Sequence, residues 1–121
     1  EVQNEIDSVQ SELSTAQTTI AEKEAEIAKI DQSRVVYKFQ ADVNAARLAL
    51  ENIDTASSRQ ALTFVQSDLA DLENTGIAPD AIAGFKARIE EALENLDKDP
   101  LQSKEAMETL NENLLLLINN L

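Results

Sequence analysis

The sequence of 121 residues contains no cysteine, no histidine and no tryptophan. These absences exclude disulfide bonds, thiolate and imidazole metal ligands, cysteine nucleophiles and histidine general bases. Only two glycines and two prolines occur, so few positions are suited to tight turns between many short strands. The composition therefore favours a few long helices and removes most catalytic arrangements.

Positive charge and long apolar runs are also scarce. The chain has 10 basic and 23 acidic residues, a net charge of −13, and its basic residues form no block. Nucleic acid and anionic bilayers attract clustered Lys and Arg, so we predict that the chain binds neither. No apolar run approaches the roughly 18 residues of a membrane-spanning helix, and we expect a soluble chain without a span.

What the sequence does contain is a heptad pattern of apolar residues between Val2 and Ile30, interrupted at Lys23. A stripe of period 3.5 that is two residues wide in each heptad is typical of left-handed coiled coils. We call this stripe the heptad face. The predicted coiled-coil interface consists of Val2, Ile6, Val9, Leu13, Ala16, Ile20, Ile27 and Ile30. The alternative is a long amphipathic helix that lies on its own domain.

The pattern loses its phase at residues 31–34 and resumes in a new phase with Val36, Phe39 and Val43. Either one helix of about 50 residues continues with a rotated buried face, or Asp31 or Ser33 caps a new helix. The apolar stripe is broader after this point, as in helices of a globular bundle. We therefore predict a coiled-coil stalk helix over residues 1–33 and a helical bundle over residues 34–121.

Capping residues and helical spacing predict further helices. Asp54 or Thr55 caps the second, and Gly76, with left-handed backbone, ends it. Pro79 stands in the first turn of the third, where a proline loses no hydrogen bond. Short connections favour antiparallel neighbours. The predicted fold class is all-α: an N-terminal coiled-coil helix followed by an antiparallel three- to four-helix bundle.

Two features concern the third and fourth helices. Gly84 lies inside the third, where either a neighbouring helix approaches closely or the glycine is simply tolerated, and we favour the close approach. Asp99 and Pro100 begin the fourth, which is apolar almost all round from Leu114 to Ile118. We expect this helix to be sandwiched in the core, and coverage by a second chain is the alternative.

Carboxylates are the only plentiful titrating groups. The pairs considered as acid, base or cation sites are Asp68 with Asp71, Glu90 with Glu94, and Asp97 with Asp99. Each pair lies where a helical protein is expected to carry solvent-facing charge, and residues 97–100 lack the glycine and downstream glutamate of a calcium loop.

The other candidate groups are hydroxyls, and the side chains of Arg34 and Tyr37. The hydroxyls of residues 14–15 and 57–58 have no histidine to activate them. Arg34 and Tyr37, near the change of phase, fit either a ligand or partner contact or the edge of the bundle. We predict no catalytic, cofactor-binding or metal-binding residue, and no cofactor.

Residues 42–50 (DVNAARLAL), 61–62 (AL) and 67–72 (SDLADL) resemble the helical hairpin of HemX-like proteins of the bacterial envelope. In those proteins a membrane anchor and a coiled coil precede an all-α domain, and the order here is similar. Part of the same stretch also resembles the YfdX-like bacterial helical proteins. The similarity covers roughly residues 37–121 and carries over no catalytic residue.

These observations predict a non-enzymatic helical scaffold or protein-interaction domain that self-associates through its coiled coil. The expected partners are a second copy or another protein. The resemblance and the lack of a starting Met favour the periplasmic or extracellular side of a bacterial membrane, with a possible anchor upstream of Glu1, and the cytoplasm is the alternative. The alternative function is an extracytoplasmic sensor domain that binds a small ligand between its helices.

Overall fold

The structure, a computed structural model, describes residues 1–121 and contains four α-helices and no strand. They are α1 (Val2–Glu51), α2 (Thr55–Glu73), α3 (Pro79–Asn95) and α4 (Pro100–Asn119). The all-α class is confirmed. By its internal contacts the chain divides into two compact units, Glu1–Asp31 and Gln32–Leu121. The first is a helical segment alone, and the second contains the rest of α1 with α2, α3 and α4.

The change of phase at residues 31–34 does not end the first helix, because α1 continues from Val2 to Glu51. No glycine or proline lies there to interrupt its backbone hydrogen bonds. Before residue 32 every side chain is exposed, and from Val36 onward one face is buried. The sequence left two interpretations open, and the structure agrees with the first, a single unbroken helix.

The later helix ends lie where the capping residues predicted them. The carboxylates of Asp54 and Asp99 accept hydrogen bonds from the backbone N–H groups of Ser57 and Gln102, at 3.1 and 3.2 Å. These bonds satisfy donors that the first helical turn leaves without a partner. After α2, Gly76 has a φ of +82°, the left-handed conformation that glycine adopts at low cost.

The four helices of residues 32–121 share one apolar core. Phe39 of α1 packs against Phe85 of α3, with ring centroids 5.5 Å apart and an interplanar angle of 51°. This tilted geometry is one that aromatic pairs prefer. Other core side chains from α1, α2, α3 and α4 include Val36, Val43, Leu62, Val65, Leu72, Ile89, Met107, Leu110 and Leu114. The chain therefore forms a four-helix bundle.

Polar contacts between helices show that neighbours run antiparallel. From α1 to α2, Gln32 donates to the carbonyl of Thr75 at 2.9 Å, and Lys38 contacts Asp68, so the sequence numbers rise on one helix as they fall on the other. From α3 to α4, Gln102 near the start of α4 contacts Glu91 near the end of α3, across the short connection between these helices. The short connections at residues 52–54, 74–78 and 96–99 permit this arrangement.

Two expectations about packing were wrong. A Cβ built on Gly84 has no atom within 4 Å, so no helix approaches closely there. The fourth helix is not sandwiched: Leu114 is buried, but Leu116 is 62 % exposed and Leu115 is also exposed. Each helix of a four-helix bundle occupies a corner and keeps one side in solvent. No helix of the structure has the length and apolarity needed to cross a membrane.

Candidate functional site

The residues predicted as a coiled-coil interface all lie on α1, and all are exposed. The large apolar members are between 45 % (Ile6) and 69 % (Val2) exposed. Their spacing of three and four residues places them along one side of the helix. Single exposed apolar residues are common on proteins, but a continuous apolar stripe is typical of a surface that contacts another molecule.

Polar side chains near the heptad face bond within the helix itself. The hydroxyls of Thr15 and Thr18 donate to the carbonyls of Ser11 and Ser14, each at 3.0 Å. Lys23, which interrupts the apolar stripe, forms an ion pair with Glu26 at 3.4 Å, and both side chains are mostly exposed. Such exposed pairs contribute little to stability. Because all of these bonds lie within α1, the heptad face remains available to another helix.

Asp68 was expected to face solvent and does not. It is 3 % exposed, and its Oδ1 lies 2.5 Å from Nζ of Lys38 on α1. The same ammonium group contacts Asp42 Oδ2 at 3.1 Å. The other oxygen of Asp68, Oδ2, is buried and receives no hydrogen bond. Lys38 thus lies between two carboxyl groups and links α1 to α2.

Burial raises the pKa of Asp68 to about 6, because a buried carboxylate loses its hydration. Asp42 acts in the same direction, since a proton on Asp68 allows it to donate a hydrogen bond to Asp42, while Lys38 opposes the shift. The same hydrogen bond from Asp68 lowers the pKa of Asp42. Hydrogen bonds to Asp68 and Asp42 raise the pKa of Lys38. The two carboxyl groups therefore compete for one proton and one ammonium group.

The burial of Asp68 could have been predicted from its position along α2. Asp68 lies three residues after the buried Val65 and four before the buried Leu72, which is the spacing of the core stripe. An aspartate on that stripe requires a partner from another helix. Lys38 could not be identified as this partner, because the pairing depends on how α1 and α2 are aligned.

The other carboxylate pairs have structural partners. Asp97 accepts from Arg59 at 2.6 Å, Asp99 caps α4, and Glu94 lies 3.7 Å from Lys98. No group of three or more acidic side chains is arranged to hold a metal ion. Asp99 thus stabilises a helix end, whereas the exposed ion pairs of Asp97 and Glu94 contribute little.

The hydroxyls and the aromatic side chain singled out from the sequence lie apart from any reactive arrangement. The hydroxyl of Ser57 donates to the capping carboxylate of Asp54 at 2.7 Å, and Ser58 is buried. Tyr37 is 56 % exposed, so it is not a buried edge of the bundle. Arg34 is also exposed. None of these residues has a neighbour that would make it a nucleophile.

A shallow groove lies between α1 and α4, with a volume of about 210 Å³. Its walls include Arg47, Leu48 and Glu51 of α1 and Lys104 and Glu108 of α4. Nζ of Lys104 lies 4.0 Å from Glu51 across it. The groove is smaller than the roughly 300 Å³ at which small-molecule pockets usually begin.

Comparisons with protein-family models, with curated proteins and with solved structures find no match for this chain. The resemblance to HemX-like and YfdX-like proteins therefore stays a prediction from the residues quoted above.

Proposed function

We propose that this chain is a non-enzymatic protein-interaction domain that associates through the heptad face of α1. The observation that carries the proposal is the continuous exposure of the apolar stripe from Val2 to Ile30. Full burial of such a side chain from water contributes roughly 1.5–3 kcal/mol, before the entropic cost of association. A segment that repeats this pattern over four heptads has enough apolar surface to bind another helix.

The helical segment also needs such a partner for its own stability. In residues 1–31 every side chain is exposed, so no tertiary packing supports the helix. Most helical stability in proteins comes from packing of an apolar face, and isolated helices are marginal in water. Pairing of the heptad face with a second helix would supply that packing. A second copy of the chain is the partner that the heptad pattern alone predicts.

The absence of enzymatic activity is supported by what the candidate chemical groups do. Ser57 belongs to a helix cap, and Asp68 is held in an ion pair between helices. A nucleophile needs an adjacent base that accepts its proton. The carboxylate beside Ser57 is a weak base, because hydrogen bonds from Ser57 lower the pKa of Asp54. Placement in a bacterial cell-envelope protein rests on the resemblance to HemX-like proteins alone.

The test is the oligomeric state of the full chain, measured by sedimentation velocity over a series of dilutions. We expect a monomer–dimer equilibrium that Leu13→Asp abolishes, because it places a charge in the buried seam of a pair. Ser11→Asp is the matched control, since it adds the same carboxylate on the opposite side of the helix. Equal behaviour of both variants and the parent chain would show that the heptad face does not mediate association.

A sensor domain that binds a small ligand between helices is the second candidate. The groove between α1 and α4 favours it, because Arg47 and Lys104 could contact an anion there, and Nε of Arg47 is buried without a hydrogen-bond partner. Calorimetric titration with small carboxylates and phosphates tests this candidate. Binding that Arg47→Ala removes would support it, and absence of heat with every compound would oppose it.

A further inference from the structure

The positions that flank the heptad face carry charge of one sign. Taking Ile6 as position a, the edge positions e and g between residues 3 and 26 hold Glu5, Glu12, Glu24 and Glu26, together with three glutamines and one threonine. All of these side chains are exposed. No lysine or arginine occupies an edge position. In coiled coils the edge residues face those of the partner helix and determine which partner is preferred.

A second copy offers these acidic edges no ion pair in either orientation. In a parallel pair each g position faces an e position of the partner, and in an antiparallel pair g faces g and e faces e. In a parallel pair Glu5, Glu12 and Glu24 face neutral residues and Glu26 faces Asp31, whereas in an antiparallel pair glutamates can face glutamates. Neither arrangement forms an ion pair across the edges. Like charges placed opposite each other weaken pairing.

Lys23 adds a second, independent preference. It occupies a d position, inside the seam between the helices. In a parallel pair of identical chains two Lys23 side chains would face each other. A partner with an acidic residue opposite Lys23 would instead form an ion pair within the seam. Charged residues at seam positions are known to select the partner and the register at some cost in stability.

We infer that the preferred occupant of the heptad face is a helix of another protein with Lys or Arg along its edges and an acidic residue opposite Lys23. This inference rests on the proposed function, in which the heptad face binds a helix. Self-association is then the weaker of two uses of the same surface. Four edge ion pairs of ordinary surface strength give a preference of about tenfold.

Three synthetic peptides test the inference against the full chain. The first has the sequence of residues 2–31 unchanged and stands for a second copy. The second, the lysine-edge peptide, carries Gln10→Lys, Gln17→Lys, Thr19→Lys, Asp31→Lys and Lys23→Glu, because in a parallel pair these positions face Glu5, Glu12, Glu24, Glu26 and Lys23 of the chain. The third is the lysine-edge peptide with Ile6→Ser, Leu13→Ser, Ile20→Ser and Ile27→Ser, which retains the charge and removes the seam. Binding of each labelled peptide is measured by fluorescence anisotropy at about 0.1 M salt.

We expect the lysine-edge peptide to bind about tenfold more tightly than the unchanged peptide, and the serine-containing peptide not to bind. Chain variant Leu13→Asp should lose this binding and Ser11→Asp should retain it. Equal or tighter binding of the unchanged peptide would overturn the inference while leaving the proposed function in place. Absence of binding by both seam-containing peptides would overturn the proposed function itself. Binding of the serine-containing peptide as tightly as the lysine-edge peptide would show attraction by net charge alone and would overturn the inference.

Discussion

Asp68 is an acidic residue in a buried environment that disfavours its charged form. Its carboxyl group is buried and shares Lys38 with Asp42. Burial, aided by Asp42, raises its pKa from 3.8 to about 6. The folded state therefore binds this proton more tightly than the unfolded state. The resulting contribution to stability is fully present below the unfolded pKa and is lost as the pH rises from about 4 to about 6.

We predict that Asp68→Asn flattens this pH dependence. The amide keeps the shape of the side chain but cannot ionise, so the stability of the parent chain relative to the variant should fall by up to about 3 kcal/mol between pH 4 and pH 7. Urea unfolding followed by circular dichroism at several pH values measures the difference. Asp71→Asn is the control, because Asp71 is an exposed acidic residue on the same helix. Its free energy of unfolding should depend on pH in the same way as that of the parent chain. Parallel curves for Asp68→Asn as well would contradict the assignment.

We predict that substitution by alanine changes the free energy of unfolding in opposite directions at the two glycines. Gly84 is inside α3, and an added Cβ meets no atom within 4 Å. Gly84→Ala should raise the free energy of unfolding by about 0.5–1 kcal/mol, because alanine loses less backbone entropy in a helix. Gly76 has a φ of +82°, so Gly76→Ala should lower it by about 1 kcal/mol. Thermal unfolding of both variants measures the signs, and destabilisation by Gly84→Ala would contradict the open space at that position.

These residues also show what sequence can and cannot predict. The conformation of Gly76 could be predicted, because a helix stop is a local property of a few residues. The burial of Asp68 was missed, and its pairing with Lys38 depends on helices that are 30 positions apart in sequence. The free space at Gly84 likewise depends on how the helices pack, since no other helix lies close to it. Local backbone signals were therefore reliable, whereas properties set by tertiary contact were not.

At the scale of helices, capping residues predicted the starts of α2 and α4, and Pro79 predicted the start of α3. Apolar spacing predicted most of their buried faces. The expected sandwiching of α4 was wrong, because the number of apolar residues on a helix does not reveal how many neighbours cover it. Leu115 and Leu116 extend the stripe in sequence but point away from the core occupied by Leu114. The continuity of α1 also could not be decided from sequence, since a change of buried face and a new helix leave the same pattern.

For α1 we predict that Lys23, the residue that interrupts the heptad face, weakens self-association. Lys23→Ile would complete the apolar stripe and remove the charge from the seam, so self-association should strengthen by at least about tenfold. Lys29→Ile is the matched control, because it removes the same charge and adds the same side chain outside positions a and d. Sedimentation equilibrium of the two variants and the parent chain measures the dissociation constants. Equal strengthening by both variants would show that general apolarity, and not the seam, drives the association.

For the whole molecule the dominant quantity is its net charge of −13. Charge of one sign opposes self-association at low ionic strength, and salt screens that repulsion. Two sources of repulsion are possible: the acidic edges of the heptad face, and the remaining acidic surface. They differ in range, because edge residues of paired helices lie next to each other, whereas the charges of residues 32–121 lie outside the paired segment.

We predict that self-association of the full chain strengthens several-fold when salt is raised from about 0.05 to about 0.5 M, because screening removes the repulsion between edges. Replacing the edge acids by Glu5→Gln, Glu12→Gln, Glu24→Gln and Glu26→Gln should produce the same strengthening at low salt and remove most of the salt dependence. The matched control changes the net charge equally in residues 32–121, by Glu73→Gln, Glu90→Gln, Glu105→Gln and Glu112→Gln. If this control matches the edge variant in light-scattering measurements, net charge governs association and the edges do not. If only the edge variant responds, the repulsion that limits self-association is located at the surface where a basic helix would form its ion pairs.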